Sequence, residues 1–452
     1  MAGMEVNDEM WSRVPLVVIL GATGTGKSKL AIELAKKFGG EVVGADSMQV
    51  YKRLDIVTNK VTPEEMAQVP HHMIDILSPK DNFNVVDYRN QALAKIAEID
   101  SRSKLPIVVG GTNYYIESLL WKVLVQYECK IIKAPEAANS VAADQSASLE
   151  FAKLDNDELM KRLEAVDPET ALRLHPNDRR KVIRALEVFK QEGRPLSAVL
   201  REQKSADGSS PIGGPLRFPR SIIFWLQWDQ GILDEDLDKR VDEMLEKGLL
   251  NELLQFHSEY NAERLATSET EPDYTKGIFQ SIGFKEFHPY LVMDESERQT
   301  EESKKLLQKC ICDMKMATRR YARRQVKWVN SRFLSSIHRM TPKFVPLTLK
   351  SASNWEAEIL EPAAVSVQKL LDGEIVIATP SEQLPDKQLK ERKETEPCRE
   401  FCESCQRLFV IKSQWEDHMK SKKHKRRVDS LNKQSVKKRK LCSETESDDL
   451  QK

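Results

Sequence analysis

Apolar residues along the chain switch between two spacings, and the switches mark out its elements. Three short runs are almost continuously apolar: Leu16 to Leu20 (LVVIL), Glu41 to Ala45 (EVVGA) and Pro106 to Val109 (PIVV). Strands buried on both faces read this way, because neither side of the pleat meets water. Between the first two, Leu30, Ala31, Leu34 and Ala35 recur at helical spacing, which predicts a helix from Lys27 to Phe38. Strand, glycine loop, helix, strand is a βαβ unit. The expected fold class is therefore α/β, a P-loop-type parallel sheet flanked by helices.

Further along, the pattern divides the chain. Residues 14–120 are expected to form the first part of the catalytic core. From Trp121 the spacing turns helical, in LDNDELMKRLEAVD and DRRKVIRALEVFKQE, and predicts a helical insertion over 121–204. SADGSSPIGGP then reads as a loop. Ser221 to Leu226 (SIIFWL) predicts a returning strand, followed by a helix from Leu237 to Phe256 and a long basic one from Glu302 to about Phe333. These complete the core over 216–340. Residues 341–397, rich in Pro, Ser and charge, predict a linker with one short helix around Trp355 to Leu371. A small finger over 398–427 and a polar tail over 428–452 follow.

The glycine loop carries the first chemistry. Gly21-Ala-Thr-Gly-Thr-Gly-Lys27-Ser28 matches G-x-x-x-x-G-K-[ST] between a strand and a helix, where backbone N–H groups cradle phosphate oxygens. Lys27 adds a point charge, and Ser28 offers a hydroxyl to Mg²⁺. ATP-using P-loop enzymes hold Mg²⁺ with an acid at the end of a neighbouring strand. Here PIVV ends in Gly110-Gly111-Thr112-Asn113, with no acid, whereas EVVGA runs into Asp46. Ligands in such sheets lie beyond the strand C-termini, so Asp46 and Thr112 should both open on the P-loop crevice. Asp46 could serve as metal ligand, proton acceptor or helix cap.

Charge and cysteine usage narrow the class. The 452 residues hold 70 basic and 70 acidic side chains, so nucleic acid can be gripped only by local patches. One patch is Thr318 to Trp328 (TRRYARRQVKW), whose arginines alternate with Tyr321 and Trp328; it reads as a phosphate-binding face or as a solvated face anchored by its aromatics. The seven cysteines form an odd set, which fits a reducing compartment. Four residues instead have C₂H₂ zinc spacing: Cys402-x₂-Cys405-x₁₂-His418-x₅-His424, with Phe409 and Trp415 (or Leu408) for its small core and Cys398 outside it. SKKHKRR and the later KKRK read as RNA contacts, a nuclear signal, or both. His71 and His72 read as structural. No apolar run approaches the roughly 18 residues of a membrane span. Glu5, Asp8 and Glu9 are unlike a mitochondrial presequence. The expected place is the cytoplasm, with nuclear and mitochondrial pools left open.

In order along the chain stand GATGTGKS, ADSMQVY, HHMIDI, DYR, VGGTNYY, HPNDRRKVIRALE, DKRVDEML, QSIGFKEF and TRRYARRQVKW. Together these resemble the tRNA dimethylallyltransferase family, also called tRNA isopentenyltransferases, in the eukaryotic form with a zinc finger. The resemblance implies transfer of a dimethylallyl group from its diphosphate to N6 of the adenosine 3′ of the anticodon, with Mg²⁺, by a monomer. On that resemblance, Thr23, Gly24, Thr25, Gly26, Lys27 and Ser28 hold the donor diphosphate. Asp46 accepts the N6 proton and Thr112 orients the reactants. Ser47, Met48 and Gln49 line the adenine pocket with Asp46. Arg180, Lys181, Val182, Ile183 and Arg184 contact the tRNA anticodon stem-loop, as do Ser281, Gly283 and Lys285. Lys181 stands where bacterial members carry Arg, which keeps the charge and loses the bidentate fork. Arg240 is either a donor-phosphate contact or a surface salt bridge. A P-loop nucleotide kinase, an isopentenyltransferase for free nucleotide and a non-catalytic RNA-binding adaptor are the alternatives.

Overall fold

The computed structural model describes residues 8–122, 151, 154–205, 214–261, 274, 277–334, 340–349, 354–374 and 396–431. Its strands are β1 (Leu16–Gly21), β2 (Glu41–Gly44), β3 (His71–His72), β4 (Pro106–Val109), β5 (Ser221–Trp228), β6 (Lys343–Leu349), β7 (Pro397–Cys402) and β8 (Arg407–Ile411). The helices used below are α1 (Lys27–Phe38), α2 (Val85–Ser101), α3 (Asn113–Leu120), α4 (Asn156–Val166), α5 (Pro168–Arg173), α6 (Arg179–Glu192), α7 (Gln230–Glu246), α8 (Leu249–Phe256), α9 (Phe284–Leu291), α10 (Glu301–Trp328), α11 (Glu361–Leu371) and α12 (Lys412–Lys420).

Two compact units emerge. One comprises residues 1–124 and 206–390, the other 125–205 and 391–452. The first is built on a six-stranded sheet in the order β3-β2-β4-β1-β5-β6, with every pairing parallel. The α/β expectation therefore holds. β1 lies centrally, and its side chains alternate between two cores. Leu16, Val18 and Leu20 pack beneath α2 and α3, while Val17 and Ile19 pack beneath α1 and α11. This explains the uninterrupted apolar run, since each face of the strand is covered by helices. A third core gathers α7, α8, α9 and α10 around Phe284, Phe287, Leu249 and Met314.

Several expectations shift. Residues 341–397 do not simply link domains: Lys343–Leu349 is the sixth strand, paired with β5 from Ile222↔Lys343 to Trp228↔Leu349. Its exposed and buried positions alternate imperfectly around Pro346, a pattern proper to an edge strand and hard to tell from a polar connector. The short helix expected near Trp355 to Leu371 does form, and α11 packs Ala363, Val367 and Leu370 on the sheet. The helix expected from Leu237 to Phe256 is two, broken at Gly248, which adopts φ 97°. The edge strand beside β2 is the short His71–His72. His72 Nε2 meets Glu41 at 2.7 Å, and Arg102 reaches the same carboxylate at 2.6 Å, so the histidine pair is structural as expected. KKRK and the acidic stretch after it lie outside the described residues.

In the second unit, α4, α5 and α6 enclose a core of Phe151, Leu159, Leu163, Val182 and Leu186. The β7–β8 hairpin and α12 form the finger, and Arg399 pairs with Glu164 of α4 at 2.6 Å.

Trp355 ties the expected linker to the phosphate loop. Its Nε1 donates to Glu33 of α1 at 2.7 Å, Lys29 Nζ lies 4.5 Å from its ring, and a Cβ on Gly26 would come within 2.7 Å of that ring. Trp355→Ala should therefore cost the first unit about 3 kcal/mol, the usual range for a buried aromatic, visible as a lower melting midpoint. An unchanged midpoint would mean the segment is a linker after all.

Candidate active site and RNA-facing elements

Three loops at the C-terminal ends of neighbouring strands build the site. After β1, Gly24 and Gly26 adopt φ 86° and 81°, the left-handed turns that wrap the P-loop. Thr25 Oγ1 closes it by donating to Ala22 O at 2.9 Å. Lys27 Nζ lies inside the loop, donating to the same carbonyl at 2.7 Å. Burial, with help from the nearby Arg240 cation, lowers the Lys27 pKa to about 7. Ser28 sits exposed at the first turn of α1. Thr23, Gly24, Thr25, Gly26, Lys27 and Ser28 thus form one cradle, as the motif predicts.

After β2 and β4, Asp46 and Thr112 meet. Ala45 N donates to Val109 O at 2.8 Å, and Thr112 N donates back to Ala45 O at 3.0 Å. Such closeness requires glycine at 110, where a Cβ would stand 2.1 Å from Ala45 O. Thr112 Oγ1 accepts from Ser47 N at 2.9 Å and donates to Ser47 Oγ at 3.0 Å. Asp46 Oδ1 accepts from Met48 N at 2.9 Å. Burial raises the Asp46 pKa; the Met48 N–H, the Lys27 cation, the Gln49 N–H and Arg240 pull the other way. A half-buried carboxylate whose pKa is raised beside two cations has the chemistry of a proton acceptor. Tyr88 and Tyr115 stack beside it with ring centroids 4.0 Å apart, and the charge of Asp46 helps raise both phenols.

Arg240 lies against the cradle. Its guanidinium donates to Thr23 Oγ1 at 3.2 Å and is half-buried, and burial lowers its pKa. One turn earlier, Leu237 packs on the P-loop at Gly24. Gln49 is committed differently: its Nε2 donates to Thr58 O and Asn59 O, each at 3.0 Å, fastening the loop that follows Asp46. Glu252 fastens the same loop, accepting from Ile56 N and Val57 N at 2.8 and 2.9 Å.

The RNA-contact expectations divide by burial. On α6, Arg180, Lys181 and Arg184 are exposed, whereas Val182 is wholly buried in the insertion core and Ile183 packs against it. Val182 therefore anchors the basic face, with its side chain turned into the core. Ser281 is 3% exposed, and Gly283, at φ 106°, lies so close to Val57 that a Cβ would come within 2.6 Å. Of that trio only the Lys285 side chain reaches solvent. On α10, Arg319 pairs with Asp238 and Arg323 with Asp234, so these two staple α10 to α7. Arg320, Arg324 and Lys327 stay exposed.

In the finger, Cys402, Cys405, His418 and His424 each present a ligand atom, all within 4.8 Å of one another. Buried His418 Nε2 has no hydrogen-bond partner among the described residues. Two thiols and two imidazoles at this spacing fit a tetrahedral zinc ion. Cys398 stays outside the set, its Sγ 3.6 Å from Phe409 O. Phe409 and Trp415 supply the expected small core, with ring centroids 5.6 Å apart.

Sequence reading missed Gln325, which is buried and touches two of the three site loops. The one signal for it is its place four residues after Tyr321, on the inward stripe of a helix noticed for its arginines.

Comparisons agree with this geometry. Residues 49–332 match the family model described as IPP transferase. The chain is 48% identical to the tRNA dimethylallyltransferase of Mus musculus, over 91% of this chain and 85% of that one. Identity to the tRNA dimethylallyltransferase of Homo sapiens is also 48%, over 92% and 88%. A crystal structure of a eukaryotic dimethylallyltransferase acting on tRNA superposes with a TM-score of 0.75 at 29% identity, covering 94% of this chain and 99% of that one. No helix among the described residues is long and apolar enough to cross a membrane. The chain belongs to the IPP transferase family, the tRNA dimethylallyltransferases.

Proposed function

We propose that this chain transfers a dimethylallyl group from dimethylallyl diphosphate to N6 of the adenosine 3′ of the anticodon in tRNA. The observation that carries this reading is the meeting of Asp46 and Thr112 beside an anion cradle lacking the acid of an ATP-using P-loop. Thr23 to Ser28 bind the diphosphate, with Lys27 and Arg240 facing its charge. Ser28 would hold Mg²⁺ through its hydroxyl, and the ion would supply positive charge near the departing oxygens. The allylic C–O bond breaks, and its electron pair leaves with the diphosphate. The N6 lone pair forms the new N–C bond, and the N6 proton passes to Asp46. Thr112, held by Ser47, orients the amine or the bridging oxygen. Since the adenine must leave its stack to reach the donor, Ser47, Met48 and Gln49 line its pocket.

Arg320, Arg324 and Lys327 on α10, Arg180, Lys181 and Arg184 on α6, and Lys285 neutralise tRNA phosphates. With zinc held by its four ligands, the finger would add grip through exposed Lys420, Lys422, Lys423 and Arg427. Its metal is structural, because four protein ligands leave no open position.

Four outcomes test the reading. Pure protein with Mg²⁺, donor and unmodified tRNA should yield isopentenyladenosine by nucleoside mass spectrometry; ATP consumption without that product would overturn it. Asp46→Ala should lower kcat by about 10³-fold at unchanged tRNA affinity. Because Asp46 works as the carboxylate and burial raises its pKa, kcat/KM should be full at neutral pH and fall on acidification above the ordinary carboxylate range. Cys402→Ser should release zinc and weaken tRNA binding about tenfold while slowing chemistry little at saturating RNA. Equal tRNA affinity would remove the finger from RNA binding.

A further inference from the structure

The loops that hold donor and base belong to different strands, and something must set their spacing. Gln325 of α10 is only 4% exposed and is anchored between them. Its Oε1 accepts from Thr23 N at 2.8 Å, in the P-loop. Its Nε2 donates to Gly111 O at 2.9 Å, next to Thr112. Its own backbone carbonyl accepts from Asn113 Nδ2 at 3.1 Å. Tyr321, one turn earlier, donates its hydroxyl to the same Gly111 carbonyl at 3.2 Å. A Cβ on Gly111 would stand 2.6 Å from Gln325 Nε2 and 3.1 Å from Asp46 Oδ2, so amide and carboxylate converge on one backbone position.

We infer that Gln325 is a positioning residue, a clamp that fixes the donor cradle relative to the Asp46–Thr112 pair through one side-chain amide. The link runs from Thr23 through Gln325 to Gly111, on to Thr112, and by its hydroxyl to Ser47 beside Asp46. Only one orientation of the amide serves: oxygen must face the N–H and nitrogen the carbonyl. The chemistry needs such a clamp, because the N6 lone pair must approach the allylic carbon in line as the C–O bond opens. A misplacement of about 1 Å can cost about 10²-fold in rate. The same helix presents Arg320, Arg324 and Lys327 outward, so the clamp lies on the inner face of an RNA-facing element.

This inference rests on Asp46 being the base, and its test is separable from that of the base. In the full-length protein with Mg²⁺, dimethylallyl diphosphate and unmodified tRNA, Gln325→Met keeps the bulk and loses both hydrogen bonds. Its kcat, per folded enzyme measured by near-ultraviolet circular dichroism, should fall about 10²-fold while KM for tRNA changes less than about twofold. Gln325→Glu supplies a readout that mere packing would not move. An ionised glutamate has no proton for Gly111 O, whereas a protonated one reproduces the donor and acceptor of the amide. The ratio of its kcat to that of the unaltered enzyme should therefore rise about tenfold as pH is lowered from about 8.5 to about 6, burial having raised that carboxyl. A wild-type kcat in Gln325→Met, or a flat ratio in Gln325→Glu, overturns the clamp. Full activity in Asp46→Ala would instead remove the base and leave the Gln325 measurements standing by themselves.

Discussion

The whole site depends on how closely the end of β4 lies against the end of β2. A hydrogen bond each way joins Ala45 to Val109 and Thr112, and Gly110 admits the approach. Any side chain at 110 would collide with the Ala45 backbone, which cannot move without shifting β2 in the sheet. Parallel strands make this arrangement available. Their C-termini share one edge, so loops from β1, β2 and β4 open into the same crevice although they are far apart in sequence. What the sheet brings near, short polar contacts then fix: Ser47 to Thr112, Met48 to Asp46, Gln325 to Thr23 and Gly111.

The long helix α10 works on two sides at once. Arg319 and Arg323 are used up on Asp238 and Asp234 of α7, the helix that also delivers Arg240 and Leu237 to the P-loop. Tyr321 and Gln325, one turn apart, face the catalytic loops. The remaining arginines and Lys327 face water. A cluster of five basic residues in eleven is thus not one surface. Two are paired with α7, three are exposed, and Tyr321 and Gln325 between them reach the loop after β4. The proposed RNA contact therefore falls to Arg320, Arg324 and Lys327 alone.

Legibility from sequence followed the physics of each signal. The P-loop, Asp46 and the zinc set were readable because their chemistry fixes short local spacings. The central strands were readable because burial on both faces erases alternation. β6 was not, since an edge strand carries charge and proline on its open side and so resembles a connector. The depth of Val182, Ser281 and Gly283 was hidden for another reason: a motif names a stretch of chain, while burial is decided residue by residue as a helix turns. Gln325 was hidden because its partners are more than 200 residues away in sequence. Long-range polar contacts leave no periodicity to read.

On the proposed reaction, the missing acid at the end of β4 follows from what would leave the cradle. In nucleotide hydrolysis the metal-holding acid sits there because the phosphoryl group itself is attacked, so the metal must be held rigidly over it. In allylic transfer the attacked atom is carbon, and the diphosphate only departs. On that proposal charge would be met at the leaving oxygens by Lys27 and Arg240, which lie at the cradle, while the strand end beside the carbon would stay small and uncharged. Gly110, Gly111 and Thr112 satisfy that demand. The acid instead stands one strand across, at Asp46 after β2, where the proposed reaction would use it as the proton acceptor. An acid left at the end of β4 would repel the departing diphosphate and compete with the base for the same cations.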